Sequence, residues 1–358
     1  MIVPNPIAGT ALHAVGGISA STCYLPFHRT KQWSWTSFWL VQSLFAWIIV
    51  PTLLGIFTVP DLFTILANAP SDVVLGAFLL GACYGFGGMS FGYATRFIGY
   101  SLTYTISIGL SAIIGTLTPL LLRGEVMEYF QRPGGDIILT AMTVSMLGVA
   151  LCGWAGFKRE KEMGEAQRFD MKKGLALTVI GGILSAVFNI SLEYGQPIAD
   201  MAAANGAGHF EGNAKLIVST AGCFVVNLVW FMVLAIRQGN LKEMSSRRSG
   251  LSRFAIMKNF MWSGLAGTLW CFQFFFYGLG HVKMGNFQFA SWLIHMSMLI
   301  FFSFIVGVIM KEWKDASRRT YLLLIGALVI LCTSFLIMTY GTVKGQAEMG
   351  EVNVSSGH

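Results

Sequence analysis

Charged residues along this chain come in bunches, separated by long runs with no Asp, Glu, Lys or Arg. No such residue precedes Arg29, and none occurs in Trp33–Pro60, Val73–Thr95, Phe97–Leu122, Ile137–Phe157 or Gly174–Leu192. The same holds from Leu216 up to Arg237, and through Asn259–Val282, Met284–Met310 and Thr320–Val343. A bilayer core about 30 Å thick is spanned by roughly 20 apolar residues of helix. The pattern therefore predicts ten transmembrane helices. A β-barrel is excluded, because its strands alternate in apolarity over about ten residues instead of staying apolar for twenty. The first run, about Ile7 to Phe27, is longer than a signal-peptide core and lacks a basic start, so it reads as helix 1.

Composition agrees. Of 358 residues, 54% are hydrophobic and 11% charged, against roughly a quarter charged in soluble domains. Disordered and fibrous classes fail on these figures. The formal net charge of +7 invites a nucleic-acid reading until the bases are placed. Numbering the connections alternately, one side collects Arg29, Lys31, Arg96, Lys158, Arg159, Lys161, Arg168, Lys172, Lys173, Arg237, Lys242, Arg247, Arg248, Arg253, Lys258, Lys311, Lys314, Arg318 and Arg319. Of the 24 bases only Arg123, Arg132, Lys215, Lys283 and Lys344 fall on the other. The positive-inside rule makes the first side cytoplasmic and puts both termini outside. The basic excess is thereby topology, with no nucleic-acid partner. Trp33 and Trp35 fit an interfacial aromatic belt. All six cysteines (Cys23, Cys83, Cys152, Cys223, Cys271, Cys332) lie in predicted spans without a CxxC pair, which reads as small apolar packing and not as a metal or disulfide site.

The polar connection 158–173 divides the spans five and five, giving repeats over 1–157 and 174–341 and a polar tail over 342–358. Ala11-Leu12-x-x-x-Gly16-Gly17-Ile18 in helix 1 returns as Ala176-Leu177-x-x-x-Gly181-Gly182-Ile183 in helix 6. Gly81, Tyr84, Phe86, Gly92 and Gly99 of helix 3 match Gly267, Trp270, Phe272, Gly278 and Gly285 of helix 8 at identical spacing. An odd number of helices per repeat inverts the second repeat in the membrane, a plan recurrent among secondary transporters.

Ionisable residues within spans are functional candidates because insertion costs a few kcal/mol. They are His13 in helix 1, Glu193 near the outer end of helix 6, His281 at the end of helix 8 and His295 in helix 9. Ser185, Asn189 and Glu193 recur every four residues and share one helix face. Trp270, Gln273 and Tyr277 share a face of helix 8, and Trp292, His295 and Met296 are neighbours on helix 9. Rings that stack on C–H faces, beside amide, imidazole and phenol groups that bond hydroxyls, suit a sugar. Ordinary interhelical hydrogen bonds, worth about 0.6 kcal/mol each in bilayers, are the plainer alternative. No HExxH, Walker or strand-borne GxGxxG motif is present, and no cofactor is expected.

Cys23-Tyr-Leu-Pro-Phe27 with Lys31-Gln-Trp-Ser-Trp35 resembles the first-loop signature of the bacterial L-rhamnose–proton symporters. So do Gln273-Phe-Phe-Phe-Tyr277-Gly-Leu-Gly-His281, Ser291-Trp-Leu-Ile-His-Met296 and Lys311-Glu-Trp313. The likeness runs from helix 1 through helix 10, and His13 also falls at a matching position. That family belongs to the drug/metabolite transporter superfamily. The resemblance implies an all-α integral membrane protein of ten helices in two inverted five-helix repeats. It also implies import of L-rhamnose, a 6-deoxyhexose, with a proton across the bacterial inner membrane. In that frame Trp270, Gln273, Tyr277, Asn189, Trp292 and His281 are candidates to hold the sugar. His295, Glu193 and His13 are candidates for the proton, since a histidine titrates near physiological pH unaided. A carrier or exporter of another small polar solute from the same superfamily is the nearest alternative. A polytopic membrane enzyme lacks the paired acids or metal cluster it would need.

Overall fold

A computed structural model describes residues 4–164, 170–245 and 250–355. Among the described residues the chain is helical and no strand occurs. The long helices are α1 (Pro6–Thr22), α2 (Trp35–Thr58, with one π turn inside it), α3 (Ser71–Ile98), α4 (Tyr100–Arg123) and α5 (Gly135–Glu162). They continue as α6 (Met171–Tyr194), α7 (Gly212–Gln238), α8 (Arg253–Lys283), α9 (Ser291–Ile309) and α10 (Arg318–Ser355). Among the described residues eight apolar helical runs are long enough to cross a membrane, so the chain is a multi-pass membrane protein. Arg168, Arg247 and Arg248 of the charge count lie outside the described residues.

The helix ends follow from local chemistry. Gly124 and Gly239 close α4 and α7 in the left-handed region, where a Cβ would be strained. Two other ends are held by a carboxylate from elsewhere in the chain. Ser34 caps α2, and its amide and hydroxyl donate to Glu243 Oε2 at 2.7 and 2.9 Å, with the Ser37 hydroxyl adding a third bond. Ser317 caps α10, and its amide and hydroxyl donate to the two Glu162 carboxylate oxygens at 2.8 and 2.7 Å. Each carboxylate meets unpaired amides at the positive end of a helix dipole. Trp33, expected in an aromatic belt, is instead buried, with its indole N–H donating to the Glu243 carbonyl at 3.0 Å. A polar partner in the neighbouring loop outweighs the interfacial preference.

The chain forms two compact units. The first comprises Met1–Ile18, Gly87–Ile190 and Phe276–His358, and the second Ser19–Phe86 and Ser191–Phe275. In the first unit α5 lies along α10, and α4 packs on both α5 and α9. Its core joins Val149, Cys152 and Ala155 to Ile300, Phe304, Leu324, Ala327 and Leu331. In the second unit α2 packs against α7. One cluster there joins Leu62, Ala77, Ile198 and Val218, and a smaller one joins Trp33, Phe38, Val41 and Ala266.

Glycines set the close approaches. A Cβ on Gly17 of α1 would come within 3.1 Å of Met298 on α9, and one on Gly182 of α6 within 2.9 Å of Ser107 and Leu110 on α4. Gly81 of α3 faces the Ser219 carbonyl of α7, and Gly267 of α8 faces the Gln42 carbonyl of α2. Such small residues let backbones pack closely where lipid supplies no hydrophobic drive between helices. The polarity is inside-out relative to a soluble protein. Phe57, Leu122, Ile309 and Leu336 face outward, while His13, Ser107, Ser111, Asn189, Asn227 and His295 are buried. Lipid is the solvent that tolerates that surface.

Candidate functional site

Six of the nine residues singled out by spacing belong to the first unit. Five of them meet around one tyrosine side chain, and that tyrosine is the sixth. Tyr277, near the end of α8, is buried, and the centroid of its ring lies 5.6 Å from that of His13, 5.4 Å from His295, 5.7 Å from His281 and 5.5 Å from Trp292. His13 and His295 are themselves 6.0 Å apart. The Tyr277 hydroxyl donates to Asn189 Oδ1 at 2.9 Å, and Asn189 Nδ2 donates to the Gly115 carbonyl at 2.9 Å. A phenol, an amide and a backbone carbonyl on α8, α6 and α4 thus form one line of bonds.

Each side chain is placed by a local feature. His13 reaches α8 because Gly280 has no side chain: a Cβ there would stand 2.9 Å from His13 Cε1. Tyr277 and His281 are four residues apart on one helix, and Trp292 and His295 three apart on another, so each pair shares a face. Trp292 lies over Gly115, where a Cβ would collide with its indole nitrogen, and that nitrogen donates to the Ser111 carbonyl at 3.0 Å. His13 is fully buried and neither of its ring nitrogens has a hydrogen-bond partner. A buried imidazole in that condition costs free energy that ordinary packing does not return. The Ser111, Thr116 and Ser291 hydroxyls are buried in the same condition.

Trp270, Gln273 and Glu193 belong to the second unit. Trp270 packs edge-on against Trp47 at 5.3 Å, beside Phe274 at 4.9 Å and Tyr84 at 6.4 Å. Gln273 is buried, and Glu193 is half-buried just past the point where α6 leaves the first unit. The same unit holds a further polar contact, Trp39 Nε1 donating to Asn227 Oδ1 at 3.3 Å.

Several participants escaped the sequence reading. Ser111 and Gly115 carry no signal of their own, since a serine or glycine in an apolar helix usually serves packing. Gly280 sat inside a noted string, but its part in seating His13 depends on another helix. Tyr84 was visible only as the match of Trp270 between helices 3 and 8.

Among the described residues no cluster of His, Cys, Asp or Glu is arranged to hold a metal ion. The arrangement is suited to binding and to proton exchange: aromatic faces, a bonded phenol–amide pair and two buried imidazoles with a third half-buried beside them.

Comparison with known proteins agrees with this chemistry. The family model described as L-rhamnose-proton symport protein matches residues 4–343. The L-rhamnose-proton symporter of Yersinia pestis (strain Pestoides F) is 33% identical over 336 residues, covering 92% of this chain and 97% of that protein. The L-rhamnose-proton symporter of Mannheimia succiniciproducens is also 33% identical, over 337 residues with the same coverage. With the match spanning nearly the whole chain and including the helices that carry the histidines, this protein belongs to the L-rhamnose-proton symport family.

Proposed function

We propose that the chain imports L-rhamnose together with protons across the bacterial cytoplasmic membrane by alternating access. Membership of the family supports the activity and substrate. The observation that carries the site is the Tyr277 group, where two buried imidazoles, an indole, a phenol and an amide meet beside a third, half-buried imidazole. Tyr277, Asn189, Trp292 and His281 hold the sugar; Trp270 and Gln273, which belong to the second unit, stand as separate candidates for sugar contact. His295 and His13 take the proton, and Glu193 is the carboxylate alternative. Symport requires that the fully loaded and empty carriers interconvert more readily than half-loaded ones, which is a coupling between the two ligands.

The architecture we propose is ten spans in two inverted repeats, with both termini outside. The glycine contacts support it. Helix 1 meets helix 9 at Gly17 while helix 6 meets helix 4 at Gly182, and helix 3 meets helix 7 at Gly81 while helix 8 meets helix 2 at Gly267. Exchanging the first five helices with the last five turns each contact into its partner. The packed pairs α5–α10, α4–α9 and α2–α7 are likewise helices five apart in order.

The test is uptake of labelled L-rhamnose with and without an imposed proton gradient, alongside sugar-induced alkalinisation outside cells. Accumulation driven by an inward gradient, and lost in H295A or E193Q, is expected. No gradient-driven accumulation, with the protein present in the membrane, would overturn the reading; the same measurement with other sugars separates a different solute.

A further inference from the structure

We propose that the seam between α2 and α8 in the second unit is itself a sugar-binding site, in which the Trp47 indole, the Gln42 amide and the Ser263 hydroxyl bond the hydroxyls of a 6-deoxyhexose. The proposal rests on the L-rhamnose reading above and deepens it. Among the described residues of the second unit, three buried side-chain atoms have no hydrogen-bond partner: Gln42 Oε1, Trp47 Nε1 and Ser263 Oγ. All three lie on these two helices. Asn213, Asn227, Asn259 and Ser219, buried in the same unit, are each paired. A buried polar group left unbonded forfeits what water gave it, and packing alone does not return that loss.

Local sequence shapes the seam. A Cβ on Gly264 would stand 3.1 Å from the Phe45 ring, and one on Gly267 2.7 Å from Phe45 Cβ, so α8 lies close along α2. Ser263, Gly267, Trp270 and Phe274 recur at spacings of four, three and four, which is one face of α8. Trp47 sits in the π turn Phe45–Ile49 of α2, and such turns recur at functional sites. Pro51, two residues past that turn, has no N–H to give the Trp47 carbonyl. Trp47 meets Trp270 edge-on, with ring centroids 5.3 Å apart at 84°. Phe274 and Tyr84 stand 4.9 and 6.4 Å from Trp270.

The chemistry selects the ligand. An indole N–H only donates, an amide oxygen only accepts, and a serine hydroxyl does either. Hydroxyl groups on a sugar answer all three. Trp270 and Tyr84, tilted 31° to each other, offer apolar surface to the C–H face and methyl group of a deoxy sugar. No Asp, Glu, Lys or Arg occurs in Trp33–Pro60 or Asn259–Val282, so the seam suits a neutral ligand. Its polar groups are shut from solvent here, and the sugar reaches them when the carrier opens.

The experiment titrates L-rhamnose into the full chain in detergent by calorimetry, as wild type, W47F, Q42L and S263A. Each variant is expected to bind about tenfold more weakly, the loss of about one hydrogen bond. Thermal unfolding gives a second readout, since a bound sugar raises the unfolding temperature. S263A keeps its unfolding temperature without sugar, because its hydroxyl has no partner to lose, and shows a smaller rise with sugar. Wild-type affinity in all three variants overturns the proposal. So does an S263A chain that loses stability without sugar yet keeps the full sugar-induced rise. If W47F does not fold, Q42L and S263A decide. A wild type that binds L-rhamnose but accumulates none under a proton gradient defeats the symport reading alone; one that binds no L-rhamnose overturns both.

Discussion

The corner of the first unit that holds His13, Tyr277 and His295 has a counterpart in the same unit at Thr178, Phe91 and Tyr104. His13 and Thr178 occupy the same place in the two Ala-Leu…Gly-Gly-Ile strings. Tyr277 precedes Gly278 as Phe91 precedes Gly92 in the matched glycine series. His295 stands one turn before Met298, which meets Gly17, and Tyr104 one turn before Ser107, which meets Gly182. Both corners set one aromatic ring edge-on to another: Tyr277 to His295 at 5.4 Å and Phe91 to Tyr104 at 6.0 Å. The second corner has its polar groups bonded to one another or to the backbone. Thr178 bonds the Gly174 carbonyl of its own helix, and the Tyr104 hydroxyl is paired with that of Ser303 at 2.9 Å. The first corner keeps imidazoles, and His13 has no hydrogen-bond partner. One packing plan thus serves twice, and only one copy carries imidazoles, side chains able to take up and release a proton. What differs is the chemistry loaded onto the frame.

That comparison can be broken by substitution. The largest effect is expected at the imidazoles: H295Q or H13Q lowers proton-driven accumulation of L-rhamnose about 10- to 100-fold, whereas T178V leaves it near wild type. Uptake at a fixed inward pH gradient reads both, and equal losses in the two corners would refute the distinction. Next come the glycines that seat the rings. G280A places a Cβ 2.9 Å from His13 and is expected to destabilise the protein by about 1–3 kcal/mol. G181A meets its nearest neighbour, the Phe91 amide nitrogen, only at 3.3 Å and should cost less. Thermal unfolding in detergent measures the pair.

Within the first corner, N189A removes the amide that joins Tyr277 to α4 and is expected to raise the apparent KM for sugar about tenfold, the loss of roughly one hydrogen bond. Uptake should still be driven by an inward proton gradient; loss of that drive with sugar affinity unchanged would move Asn189 from the sugar to the proton. The smallest effect is at Tyr104. Y104F deletes the bond to Ser303, worth about 0.6 kcal/mol in a bilayer, and transport should persist.

Much of this was legible without coordinates. Uncharged runs of twenty residues announce helices because a bilayer core leaves no other way to satisfy backbone groups. His13, His281 and His295 stood out because an imidazole in an apolar span is expensive. The matched Gly17/Gly182 and Gly81/Gly267 positions were visible as spacing. Other features were not legible. Ser185, Asn189 and Glu193 share a helix face, yet α6 passes from one compact unit to the other between Asn189 and Glu193. Trp270 and Gln273 share a face with Tyr277, yet α8 divides in the same way. Periodicity reports which residues of one helix point together, and is silent on which other helix they meet.

The sequence by itself therefore determined the class of protein, the helices and their glycine seams, the short list of ionisable groups, and the family. Each is written in local composition and spacing, since hydrocarbon penalises any charge wherever it falls. Only the tertiary structure decided that Tyr277 stands among three histidines and a tryptophan, that Gly280 makes room for His13, and that Asn189 ties the phenol to α4. Those facts depend on contacts between helices far apart in the chain. Close packing at a handful of glycines decides them, and no single helix encodes that alone.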